Sequence, residues 1–155
     1  MRLAPVLNIL GLLTTMLAAA MLIPMAIDLY FGSDDWQVFA VSALLTAFVG
    51  VAVWLSTSQR EPFDLGLKQA FLLTNGAWLL IGVFGSFPFM FCELALSPTD
   101  AIFESVSGIT TTGSTVLGNI EAASHGILIW RALLQWLGGV GIVVMAMAVL
   151  PMLSV

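Results

Sequence analysis

The stretch FESVSGITTTGSTVL, residues 103–117, sets a short helix-like run directly against a hydroxyl-rich loop centred on a glycine. Neither half is long enough to cross a bilayer, whose hydrocarbon core takes about 20 helical residues. The chain around it is 60% hydrophobic and only 8% charged, with a mean hydropathy of +1.08. Ordinary soluble domains carry about 25% charge. Among membrane spans, a non-helical loop has to be buried in protein or face water, because lipid cannot satisfy its backbone groups. The stretch therefore reads as a re-entrant loop that dips into the membrane and returns to the side it came from.

Four windows, residues 3–27, 36–59, 69–92 and 132–155, contain no Asp, Glu, Lys or Arg. Each is long enough to span. The expected fold is an all-α integral membrane protein with four full spans: a leading two-helix hairpin, then a helix, a short re-entrant helix with its loop, and a last helix. The polar segment around Pro62 divides the chain into the hairpin, 1–62, and the helix–loop–helix unit, 63–155. A cleaved signal peptide competes for the first window, given Arg2 and the alanines at 18–20. Against it, the uncharged run of 25 residues is longer than the roughly 7–15 of a signal h-region.

The net charge of −5 matters less than where the four basic residues lie. Arg2 precedes the first window, and Arg60 and Lys68 bracket the loop after the second. The loop after the first window carries Asp28, Asp34 and Asp35 and no basic residue. The positive-inside rule then puts the N-terminus, and after four crossings the C-terminus, in the cytoplasm. The connection holding Asp100, Glu104 and Glu121 lies outside. Arg131 enters the last window, where it is expected to snorkel or to pair with an outer carboxylate.

Local signals place the remaining elements. Ser97 can cap a helix, Pro98 fits its first turn, and Asp100 favours its positive end. The helix from 98 to 110 sets Ile102, Phe103, Val106 and Ile109 on one face, and Glu104, Ser107, Gly108 and Thr111 on the other. The chain turns at 111–115, climbs out over 117–124 and re-enters at His125. Pro24 predicts a kink in the first helix. Gly76, Gly82, Gly85 and Ser86 in the third, and Gly138, Gly139 and Gly141 in the last, suit close helix packing. The latter cluster lacks the strand that a phosphate-binding fingerprint requires. Cys92 reads as a small buried side chain and His125 as an interface residue, with Gln135 and Arg131 serving polar contacts between helices. Of the five tryptophans some suit interfacial anchoring, and none singles out a binding site. No His or Cys cluster and no nucleophile beside a base accompanies the carboxylates, so an enzyme is not expected.

The loop has a chemistry of its own. An alkali cation leaving water needs its hydration shell replaced by oxygens, which backbone carbonyls supply without full charges. Threonine hydroxyls add more, and a glycine admits the dihedrals that aim successive carbonyls at one axis. The short helix contributes about half a negative charge at its C-terminus, directed at the same place.

With DAIFESVSGITTTGSTVL and HGILIWRALLQWLGGVGIVVMAMAVLPML read together, the chain resembles the N-terminal part of the Trk/Ktr/HKT superfamily of potassium transporters, and within it the bacterial Trk membrane subunit. The resemblance runs over all 155 residues. It implies a filter at Thr111, Thr112, Gly113, Ser114 and Thr115, with potassium on the carbonyls of Thr111, Thr112 and Gly113. The pore helix supports it through Glu104, Ser107, Gly108 and Thr110. Gly113 falls where a glycine accompanies potassium permeation and a serine, in plant relatives, sodium permeation. Glu104 has two readings: an acceptor packed beside the filter, or a charge that concentrates cations.

The resemblance further implies potassium uptake across a bacterial inner membrane, with potassium as substrate and no covalent cofactor. Lipid and a cytoplasmic nucleotide-binding regulatory subunit are the implied partners, and nucleic acid is not. Family chains hold four such units around one pore. This chain is expected to be a fragment that supplies one quarter of a filter and is inactive unless the remaining repeats or further copies join it. The alternatives are a non-conducting assembly subunit and a homotetrameric cation channel.

Overall fold

The computed structural model describes residues 3–58, 66–118 and 120–153. Every regular element among them is helical. Four stretches are long and apolar enough to cross a membrane: Ala4–Phe31, Trp36–Ser56, Lys68–Phe91 and His125–Val143. Between the third and fourth lies the short helix Pro98–Ile109. This is the expected order of hairpin, span, re-entrant helix with loop, and span. The division near Pro62, Arg2 and Arg60 fall outside the described residues.

Two spans are interrupted for the same physical reason. The first consists of α1 (Ala4–Ala20) and α2 (Leu22–Phe31); the third consists of α4 (Leu67–Phe84) and α5 (Phe87–Phe91). A proline lacks the N–H that would bond the carbonyl four residues back, and its ring crowds that carbonyl. Counting back four from Pro24 gives Ala20, and from Pro88 gives Phe84, the last residues of α1 and α4. The kink near Pro24 matches the reading of the sequence. The break at Gly85 and Ser86 does not, because 69–92 reads as one continuous helix.

Helix α3 (Trp36–Ser56) returns antiparallel along α1, and their closest approach is made by two glycines. A Cβ on Gly11 would come to 2.6 Å from the Trp54 nitrogen, and one on Gly50 to 2.6 Å from Thr15 Oγ1. Lipid gives little hydrophobic drive for helices to associate, so close backbone contact has to hold the pair. Helix α6 (Pro98–Ile109) lies between α4 and the long α7 (His125–Leu153), and a 3-10 turn at Ile120–Ala122 links the loop to α7. Met21, Phe39, Phe89, Ile127, Trp130 and Leu134 are fully buried and form the common core. Trp130 is thus a core residue rather than an interfacial anchor, its indole N–H donating to the Gly85 carbonyl at 2.9 Å.

Asp28, in α2, and Asp35, at the start of α3, are structural. Asp28 is fully buried and accepts from the Gly126 N–H at 2.7 Å and from the Ser124 hydroxyl at 3.0 Å. It places a carboxylate on the positive end of α7, as a capping residue from another helix. Beside it the Phe31 ring stacks on His125, with centroids 4.1 Å apart and planes 8° from parallel. Asp35 accepts from the Glu93 N–H at 3.1 Å, tying the start of α3 to the exit of α5. Cys92 is buried and donates to the Phe89 carbonyl at 3.3 Å, and burial pushes its thiol pKa up.

The cap on α7 is testable. Asp28→Ala leaves the buried Gly126 N–H without an acceptor, at a cost of about 1–3 kcal/mol. Asp28→Asn keeps one acceptor oxygen and is expected to lose less. Thermal unfolding of the detergent-solubilised protein measures the order wild type, Asn, Ala; an Ala variant as stable as wild type would show that the cap holds nothing.

Candidate functional site: the re-entrant loop

The start of α6 is built from its first residues. The Ser97 hydroxyl accepts from the Asp100 N–H at 3.2 Å and donates to the Asp100 carboxylate at 2.7 Å, with Pro98 opening the first turn. The helix has 12 residues, about 18 Å at 1.5 Å per residue, which is too short to cross. Its polar face turns inward: Glu104, Ser105, Ser107 and Gly108 are buried, whereas Ile102, Phe103 and Val106 are exposed. Ile109 is buried at the helix end and does not share the exposure of the apolar face with which the sequence groups it.

The chain reverses on left-handed backbone at Thr111 (φ 58°) and Gly113 (φ 74°). Glycine adopts this region freely, but for a β-branched threonine it costs about 1–3 kcal/mol and persists only where the surroundings enforce it. They do so here through the end of α6. The N–H of Thr111 donates to the Gly108 carbonyl at 2.9 Å, and those of Thr112 and Gly113 donate to the Ser107 carbonyl at 3.0 and 3.3 Å. With three successive N–H groups drawn back onto the helix, no hydrogen bond among the described residues falls on the carbonyls of Thr111, Thr112 or Gly113. The Thr110 hydroxyl donates to the Val106 carbonyl at 2.7 Å and lies 2.9 Å from the Thr112 hydroxyl.

The outgoing limb is clamped by two side chains of α6. The Ser107 hydroxyl donates to the Ser114 carbonyl at 2.6 Å. Glu104 accepts from the Thr115 hydroxyl at 2.5 Å and from the Val116 N–H at 2.6 Å, both on one oxygen. Its other oxygen accepts from Arg131 Nε at 2.8 Å. The Glu104 side chain is 0% exposed and that of Arg131 19%. Arg131 therefore pairs with a carboxylate of α6, and Glu104 holds the loop with one oxygen and α7 with the other.

Glycines bring α7 close enough to do this. A Cβ on Gly108 would come to 2.9 Å from Leu134 Cβ, and one on Gly138 would collide with the Ile109 carbonyl. Gly139 and Gly141 face open space, so within the WLGGVGI cluster only Gly138 makes the close approach. All the residues singled out from the sequence thus converge: Thr111, Thr112, Gly113, Ser114 and Thr115 form an exposed loop, and Glu104, Ser107, Gly108 and Thr110 form its support. Gln135, read from the sequence only as a polar contact between helices, has its Nε2 3.0 Å from where a Gly113 Cβ would stand. Its only signal was a polar side chain one turn beyond Arg131. Among the described residues no group of three or more His, Cys, Asp or Glu comes together to hold a metal.

A helix–loop–helix with these features has known counterparts. The TrkH family model, described as a cation transport protein, matches residues 35–154. The chain belongs to the TrkH family. It is 44% identical over its whole length to the Trk system potassium uptake protein TrkH of Halomonas elongata, of which it covers 32%. The TrkH of Escherichia coli is 37% identical over 96% of the chain, which covers 31% of that protein. The crystal structure of the potassium transporter TrkH from Vibrio parahaemolyticus superposes with a TM-score of 0.92 at 34% identity, over 100% of this chain and 33% of that one. The chain thus spans about a third of the length of its TrkH relatives. It is a multi-pass helical membrane protein of their fold.

The clamp orders two substitutions. Glu104→Met strands the Val116 N–H, the Thr115 hydroxyl and Arg131 together, and each group left without a partner costs about 1–3 kcal/mol. Arg131→Met leaves Glu104 two of its donors and is expected to cost less. Thermal unfolding in detergent measures the difference, and equal losses would contradict the clamp.

Proposed function

We propose that this chain is part of a Trk-type potassium-uptake protein, and that residues 111–115 form one wall of its selectivity filter. The observation that carries the reading is the divided bonding of the loop: its N–H groups are tied to α6, while no described residue donates to the carbonyls of Thr111, Thr112 and Gly113. An ion stripped of water needs such oxygens, uncharged and fixed in advance. The C-terminus of α6 points its partial negative charge at the same place. The relatives' names as potassium uptake proteins support potassium as the substrate.

A filter needs oxygens from several sides, and this loop supplies one. Relatives about three times longer than this chain favour further helix–loop–helix units of one polypeptide as the source of the other walls, over further copies of this chain. On this reading the residues before α4 are the leading hairpin, and α4 to α7 are the first unit. The placement of Arg2, Arg60 and Lys68 against the aspartates favours cytoplasmic termini, with α6 entering from outside in a bacterial inner membrane. The regulator is a cytoplasmic nucleotide-binding subunit, and no residue of this chain is assigned to it. Transport requires no covalent cofactor and no catalytic residue.

The test places this chain in the full pore. A chimera of the Halomonas elongata TrkH, with its matching third replaced by this chain, is expected to restore rubidium uptake to potassium-uptake-deficient cells. Gly113→Ser in that chimera is expected to lower selectivity for potassium over sodium at least about tenfold, equivalent to about 1.4 kcal/mol. Unchanged selectivity would remove residues 111–115 from the filter.

A further inference from the structure

The stripe of α7 that faces the re-entrant unit touches it at three levels. Arg131 meets Glu104, Gln135 stands beside Gly113, and Gly138 seats the Ile109 carbonyl. The first and third of these are an ion pair and a backbone seat. The second is a carboxamide with no hydrogen bond to any described residue, in a window of the chain that holds no charged side chain. Gln135 is exposed on the side of the loop, so any task it has lies there.

Its position suggests one. Gly113 is held in left-handed backbone at φ 74°, and the volume that a side chain there would enter is already taken by the Gln135 carboxamide, 3.0 Å from the built Cβ. Position 113 thus has a dihedral that favours glycine and, as the nearest atom a Cβ would meet, the tip of the Gln135 side chain. The dihedral is local and any glycine satisfies it. The neighbour comes from another helix, and it limits how far the loop can move towards α7.

We propose that Gln135 is a specificity-determining residue of the filter, a wedge whose side-chain volume holds the Gly113 backbone away from α7 and so fixes the width at the Thr112 and Gly113 carbonyls. The inference rests on the reading of residues 111–115 as a potassium filter. Size is what a wedge supplies, so a side chain of similar length without hydrogen-bonding groups keeps the function. Removing the side chain lets the loop relax towards α7, and the fit to the ion is lost. Removal also opens room at position 113, so a serine there adds less damage than it does beside an intact Gln135.

The experiment uses the same chimera and reads the ratio of rubidium to sodium uptake. That ratio is independent of how much protein reaches the membrane, and a purely structural role would leave it unmoved. Gln135→Ala is expected to lower it about threefold or more, Gln135→Met to leave it near wild type, and Gly113→Ser to act less than additively on the Ala background, as contacting residues do. A transporting chimera whose ratio is unmoved by Gln135→Ala overturns the wedge. So does a Gln135→Met variant as impaired as the Ala variant, since the amide and not its volume would then matter. A chimera that reaches the membrane but takes up no rubidium overturns the filter reading, and this inference with it.

Discussion

Polar backbone at membrane depth has to be satisfied from within the protein, and the region around α6 is arranged to meet that demand unequally on its two sides. Glu104 is the centre of this arrangement. A carboxylate with no exposure is tolerable only when its oxygens are matched, and here one oxygen takes two donors from the outgoing limb while the other takes Arg131 from α7. The same group thus fixes the loop to its own helix and to the next span. Ser107 does for the turn what Glu104 does for the exit, accepting two N–H groups on its carbonyl and donating its hydroxyl to Ser114.

These contacts explain why glycines recur where they do. A clamp between α6 and α7 works only if the helices are near enough for Arg131 and Leu134 to reach, and Gly108 and Gly138 set that distance. Gly85 has a similar role against Ser105, whose hydroxyl donates to the Ile81 carbonyl at 3.2 Å. The leading hairpin uses the same device at Gly11 and Gly50. In each case the small residue is matched to a particular atom of the neighbouring helix rather than to a general need for flexibility.

Much of this was legible in the sequence because it is local. Charge-free windows mark spans, Ser97 with Pro98 and Asp100 marks the start of α6, and the hydroxyl-rich run after it marks a loop that lipid cannot hold. The features that were not legible depend on partners far along the chain. Asp28 and Asp35 look like topology signals until Gly126 and Glu93 are seen beside them. Trp130 looks like any other tryptophan until Gly85 accepts its N–H. Gln135 acquires meaning only from Gly113. The break at Gly85 is a different kind of omission: Pro88 carries the same local signal as Pro24, but an unbroken apolar run hides it.

The cap that Asp28 places on α7 also constrains how the protein is made. Its acceptor and donor are 98 residues apart in sequence, a separation that a ribosome adding about 5–20 residues per second covers in roughly 5–20 s. Throughout that interval the carboxylate has no protein partner at the future start of α7 and has to be kept wet. The Asp28 end of the first span therefore remains at a water-filled surface until the fourth is delivered. The end of the first span is thus dried out only by the arrival of the fourth.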